Sequence, residues 1–330
     1  MQAREQGSKR GAEARRAAAR MAAQRIVGAL VVVVGVTLLA YLLSYLSPTD
    51  PATRFFTDHG VVPTAAELEA KRHELGLDRP FLEQYGDWIA SIFQGDLGES
   101  YRNGRSVSGS LMSCLPYTLA LTGTSMLLTL AIALPLGLLC AYRKDGIVDN
   151  VVRAISYLFC SLPTFFVALI LLYVLSVQLH LFPVRSTPDL QGIVMPTLAM
   201  ALPLSAWYVR QVRTIALEQL DSGYVDGLRS RGISERRILF KHVLRNSLIP
   251  ILALVGVSIG SLLGGTAIIE SIFNWPGVGN LSVAAINARD YPMVQGYALL
   301  MAFVYLLVNF LVDLSYRFID PRVNKGVTEA

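Results

Sequence analysis

Long uncharged apolar runs separated by short polar stretches divide most of this chain. The first run, residues 26–46, is about 31 Å long at the helical rise, enough to cross a bilayer. It exceeds a signal-peptide core and no small-x-small cleavage site follows, so it is expected to remain as a span. Further runs at 115–141, 154–181, 193–212, 248–269 and 294–316 predict six spanning helices in an all-α integral membrane protein. Pro135, Pro163, Pro196 and Pro203 fall inside these runs. Their missing backbone hydrogen bonds predict kinked helices that pack on one another. Gly256, Gly260 and Gly264 line one face of the fifth run in a GxxxGxxxG pattern, which permits close helix approach.

Two polar stretches are too long to be simple turns. Residues 47–110 carry ten acidic against six basic side chains, and they predict a small helical cap. Within it Thr64 stands three residues before Glu67, a capping-box spacing, and Gly76 supplies a stop. A second short helix is expected from Pro80 to Phe93. The other stretch, Asp221 to Pro250, reads DSGYVDGLRSRGISERRILFKHVLRNSLIP. Here Tyr224 to Arg231 predicts one short helix, Gly232 a positive-φ turn, and Ser234 the cap of a second helix reaching about Arg245. On that second helix Ile238, Val243, Leu244 and Leu248 form an apolar side, whereas Arg236, Arg237, Lys241 and Arg245 form a basic one. Such a helix suits an acidic-edged protein groove or a lipid surface, and physics alone leaves both open.

Composition agrees with the membrane reading: 53% of residues are hydrophobic, 16% are charged and mean hydropathy is +0.47. The net charge of +5 comes from the first 25 residues, where seven Arg or Lys face Glu5 and Glu13. This basic tail, expected to be disordered, places the N-terminus in the cytoplasm by the positive-inside rule. Arg143, Lys144, the 221–247 segment and the C-terminal tail then share that side.

The chemistry that is missing matters as much. The sequence has no GxxxxGK[ST] loop, so ATP hydrolysis in the P-loop manner needs another protein. His59, His73, His180 and His242 are scattered, and Cys114, Cys140 and Cys160 have no CxxC spacing, which argues against a metal cluster. There is no GxSxG elbow for a hydrolase. The middles of the spans are almost bare of charge, and Asp313, near the cytoplasmic end of the last run, is expected to pair with Arg317 four residues on. A stand-alone secondary transporter or channel is the alternative, but it would normally show inverted repeats or ionisable mid-span groups.

The stretch DGLRSRGISERRILFKHVLRNSLIP resembles the EAA-type coupling loop of permease subunits in binding-protein-dependent ABC importers of the peptide/nickel/opine group. Asp226, Gly227 and Leu228 stand where that loop has Glu-Ala-Ala, and Gly232 matches its glycine. LGLDRP at 75–80 with Gln84, Tyr85 and Trp88, GDLGES at 95–100, GGTAIIESIFNWPGVG at 264–279, RDYPMVQG at 289–296 and DPRV at 320–323 resemble the same group, so the likeness runs from about residue 50 onward. The large first external loop is similar to that of B-type halves. The resemblance implies a type I importer permease fold with a 47–110 external cap and a five-helix core over 111–320 that includes coupling helices 221–246. It also implies a bacterial inner-membrane location, a second permease subunit, two ATP-binding subunits and an external solute-binding protein, with lipid around them and no nucleic acid. ATP and Mg would sit on the partner subunits, and this chain would carry no cofactor, metal or catalytic residue.

By the same resemblance, contact with the ATPase falls to Tyr224, Asp226, Gly227, Leu228, Gly232, Glu235, Arg236, Arg237, His242 and Arg245. The external gate or binding-protein contact falls to Asp96, Glu270, Phe273, Trp275, Arg289 and Asp290. A solute path is expected along the third to fifth spans, near Pro163, Pro203 and the glycines at 256–265. Peptides, nickel or other chelated metals, and opine-like metallophores are the implied cargoes, with SPTDPA at 47–52 and LRSRG at 228–232 slightly closer to nickel and metallophore permeases.

Overall fold

The computed structural model describes residues 23–24, 27–47, 50–58 and 60–319. Expectations for the basic tail before Ala23, for His59 and for the closing DPRV lie outside the described residues, as do the side chains of Asp313 and Arg317. Two compact units divide the chain, one built from the sequence up to Leu111 together with Ala285 onward, the other from Met112–Ala284.

The first unit holds α1 (Val27–Tyr45), α2 (Pro51–Asp58), α3 (Ala65–Glu74) and α4 (Phe81–Phe93). α1 is a spanning helix whose apolar window is only 6% buried within the chain. It is held at one end by rings: Tyr41 packs edge-on against Phe81 and Tyr85, and Thr37 Oγ1 lies 3.0 Å from Tyr85 Oη. The expected capping box is present, with Glu67 N donating to Thr64 Oγ1 and the Glu67 carboxylate accepting from Thr64 N at 2.8 Å. Gly76 closes that helix at φ +67°. Helix α2 is absent from the sequence-based expectation, although its signal is local. Asp50 accepts from Ala52 N and Thr53 Oγ1, and Pro51 needs no donor at the first helical position.

The second unit is organised on α8 (Val194–Leu220), which packs against α6 (Ile147–Ser161), α7 (Thr164–Leu171) and α11 (Leu244–Phe273). Twelve α8 residues are buried, Tyr208 completely, and its hydroxyl donates to Ser258 Oγ at 2.9 Å. α5 (Val107–Tyr142) approaches α8 closely where a Cβ on Gly137 would lie 2.7 Å from Val212 Cβ. Among the described residues one isolated β-bridge, Glu99 with Ser106, is the only strand-type pairing.

Several expected boundaries move. The third expected span is not continuous: α6 and α7 bend by 101° at Leu162 and Pro163. Pro163 donates no hydrogen bond and holds Leu162 extended, at φ −92° and ψ 132°, so the helix breaks there. α7 then continues as a π-helical segment, Leu172–Gln178. Pro135 and Pro203 remain inside unbroken helices, and Pro196 lies in the first turn of α8, where a missing N–H costs nothing. The second helix of the 221–250 stretch does not stop near Arg245. α10 (Glu235–Arg237), a π-helical segment (Ile238–Val243) and α11 run on as 39 residues to Phe273. The last helix, α13 (Tyr291–Ile319), begins before its expected start and belongs with α1 to α4 rather than with the 112–284 unit. It is preceded by α12 (Val278–Ala288).

Candidate functional site

α8 leads through Asp221 and Ser222 into α9 (Gly223–Ser230). Eight residues cannot hold a helix alone in water, so packing must hold this one. Val225 does so, fully buried beside Leu138, Val212, Ile238, Leu239 and Val243. Burying a valine stabilises by about 2 kcal/mol, more than the propensity of so short a helix supplies. Gly232 then turns the chain at φ +73°, a conformation that disfavours side chains. Ser234 sits at the N-cap of α10 in extended backbone, although its side chain makes no cap bond.

Across that turn the Arg229 guanidinium donates to Glu235 Oε1 at 2.8 Å and to Asp226 Oδ1 at 3.2 Å. The groups are half exposed, so the bridge adds little stability, but it fixes the angle between α9 and α10. The anchored segment leaves Tyr224, Asp226, Gly227, Glu235, Arg236, Arg237 and Arg245 exposed, with Leu228 and His242 half-buried. Phe240, in sequence between Arg237 and Lys241, is 58% exposed, a large apolar side chain left mostly outside.

At the other end of the same unit, Glu270 is fully buried. Its carboxylate accepts from Thr118 Oγ1 at 2.6 Å and from Asn280 N at 2.9 Å, so it sits at the start of α12 and offsets the dipole there. Gly277 and Gly279 are required by this approach: a Cβ on either would fall within 2.8 Å of the Glu270 carboxylate. Trp275 Nε1 donates to Tyr117 O at 3.0 Å, and Phe273 is completely enclosed. Glu270, Phe273 and Trp275 are thus brought together as an interior brace beneath the turn.

In the first unit Asp290 accepts from Ser100 Oγ at 2.5 Å and from Tyr101 N at 3.1 Å, tying the start of α13 to the GDLGES turn. Asp96 accepts from Gly98 N in that turn, and Arg289 takes φ +57° just before α13. A cleft of about 790 Å³ in this unit is lined by Tyr41, Tyr45, Asp50, Trp88 and Tyr291.

Residues 133–325 match the family described as binding-protein-dependent transport system inner membrane component, and residues 18–122 match its N-terminal companion. A putative peptide permease protein of Brucella suis biovar 1 is 37% identical over 298 residues, covering 87% of this chain and 93% of the relative. The nickel import system permease protein of Staphylococcus aureus strain MRSA252 is 33% identical over 297 residues, covering 90% and 89%. A probable D,D-dipeptide transport system permease of Escherichia coli K12 is 33% identical over 328 residues, covering 91% and 96%. This chain belongs to that permease family. Inward-facing structures of the MetNI methionine ABC transporter share its fold, with a TM-score of 0.54 at 21% identity over 64% of this chain and 96% of that one. The permease is therefore a multi-pass inner-membrane component of a peptide/nickel-group ABC importer, a transport subunit rather than an enzyme.

The permease also contains features that the sequence reading passed over. A cavity of about 650 Å³ in the second unit is walled by α6, α7, α8 and α11, with Leu162, Pro203, Trp207, Ser261 and Gly265 on its surface. None of its lining residues is charged. This is where the expected path, near Pro163, Pro203 and the glycines, has open space. A Cβ added on Gly264 or Gly265 would meet nothing within 4 Å beyond its own stretch of helix. Buried Asp149 and half-buried Arg213 form an ion pair between α6 and α8, which the sequence could not offer because 64 positions separate them. Among the described residues no group of three or more His, Cys, Asp or Glu is placed to hold a metal ion.

Proposed function

We propose that the permease forms one half of a solute pathway and that α9 with α10 is the element docked by an ATP-binding subunit. The observation that carries this reading is the anchored segment itself, whose valine and isoleucine are spent on its own core while Phe240 and a row of cations stay outside. A lipid-lying helix would turn its apolar residues toward the membrane, whereas here Val225, Ile238, Leu239 and Val243 face inward. A partner groove with an apolar pocket and acidic rim fits what remains exposed.

The N-terminus and the docking segment are placed in the cytoplasm, with the 47–110 cap meeting an external binding protein. A second permease subunit covers the cavity face of α6, α7 and α11, and ATP-driven rocking of the two halves opens it to either side. The uncharged wall suits a cargo whose charges are balanced within itself. Di- or oligopeptides fit this description, as do metal ions wrapped in a chelator. Peptide is placed first because the peptide-permease relative matches at higher identity than the nickel one.

Reconstitution with the ATPase, second permease and binding protein tests the reading by comparing ATP-dependent uptake of a dipeptide with that of chelated nickel. Uptake should require every subunit. Uptake by this chain alone, without ATP, would support the secondary-transporter alternative instead.

A further inference from the structure

We propose that the Asp149–Arg213 ion pair is a positioning element that carries movement of the α8–α9 end of the permease to the wall of the apolar cavity. The inference rests on the docking and pathway reading above.

Asp149 lies in the first turn of α6 and is completely buried. Arg213 lies on α8, two turns before that helix gives way to the segment leading to α9. The guanidinium meets the carboxylate as a fork, with Nε to Oδ1 at 2.7 Å and Nη2 to Oδ2 at 2.7 Å. Asp145 N also donates to Oδ2 at 2.9 Å, and Arg153 Nε stands 3.7 Å from Oδ1. Two parallel charge-assisted bonds fix rotation as well as distance, which a single contact cannot do.

Further along the same interface Arg210 lies over the Tyr157 ring, 5.0 Å from its centroid. Residues 149 and 157 of α6 therefore meet 213 and 210 of α8, so the two helices run antiparallel. The far end of α6 reaches the cavity through Phe159, Cys160 and Leu162. α6 is thus a strut about 22 Å long, with the ion pair at one end and the cavity wall at the other. The 101° break at Pro163 uncouples its swing from α7.

Stability alone is a poor reason for such a pair. Replacing a buried ion pair with apolar side chains of similar size is often neutral or stabilising. Directional fixing of α6 on α8 is what the charges add.

The test reads the thiol of Cys160, exposed in this chain and on the cavity wall. In the reconstituted transporter, N-ethylmaleimide modification of Cys160 is followed by peptide mapping in nucleotide-free and vanadate-trapped complexes. With the natural sequence the two rates should differ by about tenfold. No difference at all would refute the docking and pathway reading and take this inference with it. Asp149→Asn should keep ATP hydrolysis yet bring the two rates within about twofold of each other, with Arg213→Lys in between. An unchanged response in both variants overturns the link. Should Asp149→Asn not assemble, Asp149→Leu with Arg213→Met removes both charges together and carries the same expectation. Loss of assembly in that double variant shows a purely structural pair and overturns the link as well.

Discussion

At the scale of single residues, the close approach of α5 to α8 depends on a glycine that the GxxxGxxxG pattern did not indicate. Gly137 has Val212 side-chain atoms at 2.7 Å and Val209 O at 3.0 Å from where a Cβ would stand, whereas Gly123 on the same helix has nothing within 4 Å. Gly137→Ala should lower stability by about 1–3 kcal/mol, read as an earlier melting transition in detergent, and Gly123→Ala should leave it nearly unchanged. Equal transitions for the two variants would show that α5 and α8 can part at little cost. Glu270 makes a second residue-scale case. Glu270→Ala leaves Thr118 and the first amides of α12 without their acceptor, and about 2 kcal/mol of stability should go with it.

Local chemistry was legible and distant pairing was not. Thr64 and Glu67 announce their capping box because the spacing is the mechanism. Asp149 and Arg213 lie just outside the apolar runs, 64 positions apart, and only the antiparallel packing of α6 on α8 brings them together. Glu270 was picked out by family likeness as an external gate or binding-protein contact, and its buried position beneath the turn is held by Thr118, 152 positions away.

Among elements, four prolines inside predicted spans looked alike in sequence, and one of them breaks a helix. The pre-proline bias toward extended backbone acts at each. What differs is tertiary: on either side of Pro163, α6 and α7 each pack on α8. The turn at Gly232 is similarly an element-level device, and here the sequence did foretell it. Gly232→Pro cannot reach φ +73° and should abolish co-purification of the ATP-binding subunit while leaving membrane insertion intact. Charge reversal at both Arg236 and Arg237 should weaken the same co-purification, and retention of the ATPase in both variants would count against docking at this segment.

α3 supplies a pH prediction at this scale. Backbone and side-chain donation from Thr64 holds the Glu67 carboxyl below its ordinary value. Its folded pKa is depressed, so the contribution is complete above the unfolded value of about 4.3 and disappears as pH falls through the folded one. The protection factors of the α3 amides, taken against the intrinsic exchange rate at each pH, should accordingly fall as pH drops below the ordinary carboxylate range, and Thr64→Ala should remove that dependence.

On the scale of the whole molecule, helices among the described residues cover the expected apolar runs, four of them long and apolar enough to cross a membrane and a fifth if the bent α6 and α7 pair is one span, but their grouping was beyond reach of the pattern. Hydropathy marks what lies in the membrane and is silent on which helices touch, because lipid-facing and protein-facing positions are equally apolar. α1 and α13, at opposite ends of the sequence, fall in one unit with α2 to α4, and the helices of residues 112–284 build the other around α8.

The central place of α8 has a consequence for biogenesis. α5, α6 and α7 are synthesised before it, and α6 and α7 have their main packing partner in it. For the time the ribosome takes to add residues 179 to 220, these helices must wait without their packing partner, and Asp149 has Arg153 but not the two-bond fork to Arg213. A nascent chain arrested before α8 should therefore be prey to membrane quality-control proteolysis, while one arrested after Leu220 should be far more resistant, a contrast that pulse-chase of truncated chains would reveal.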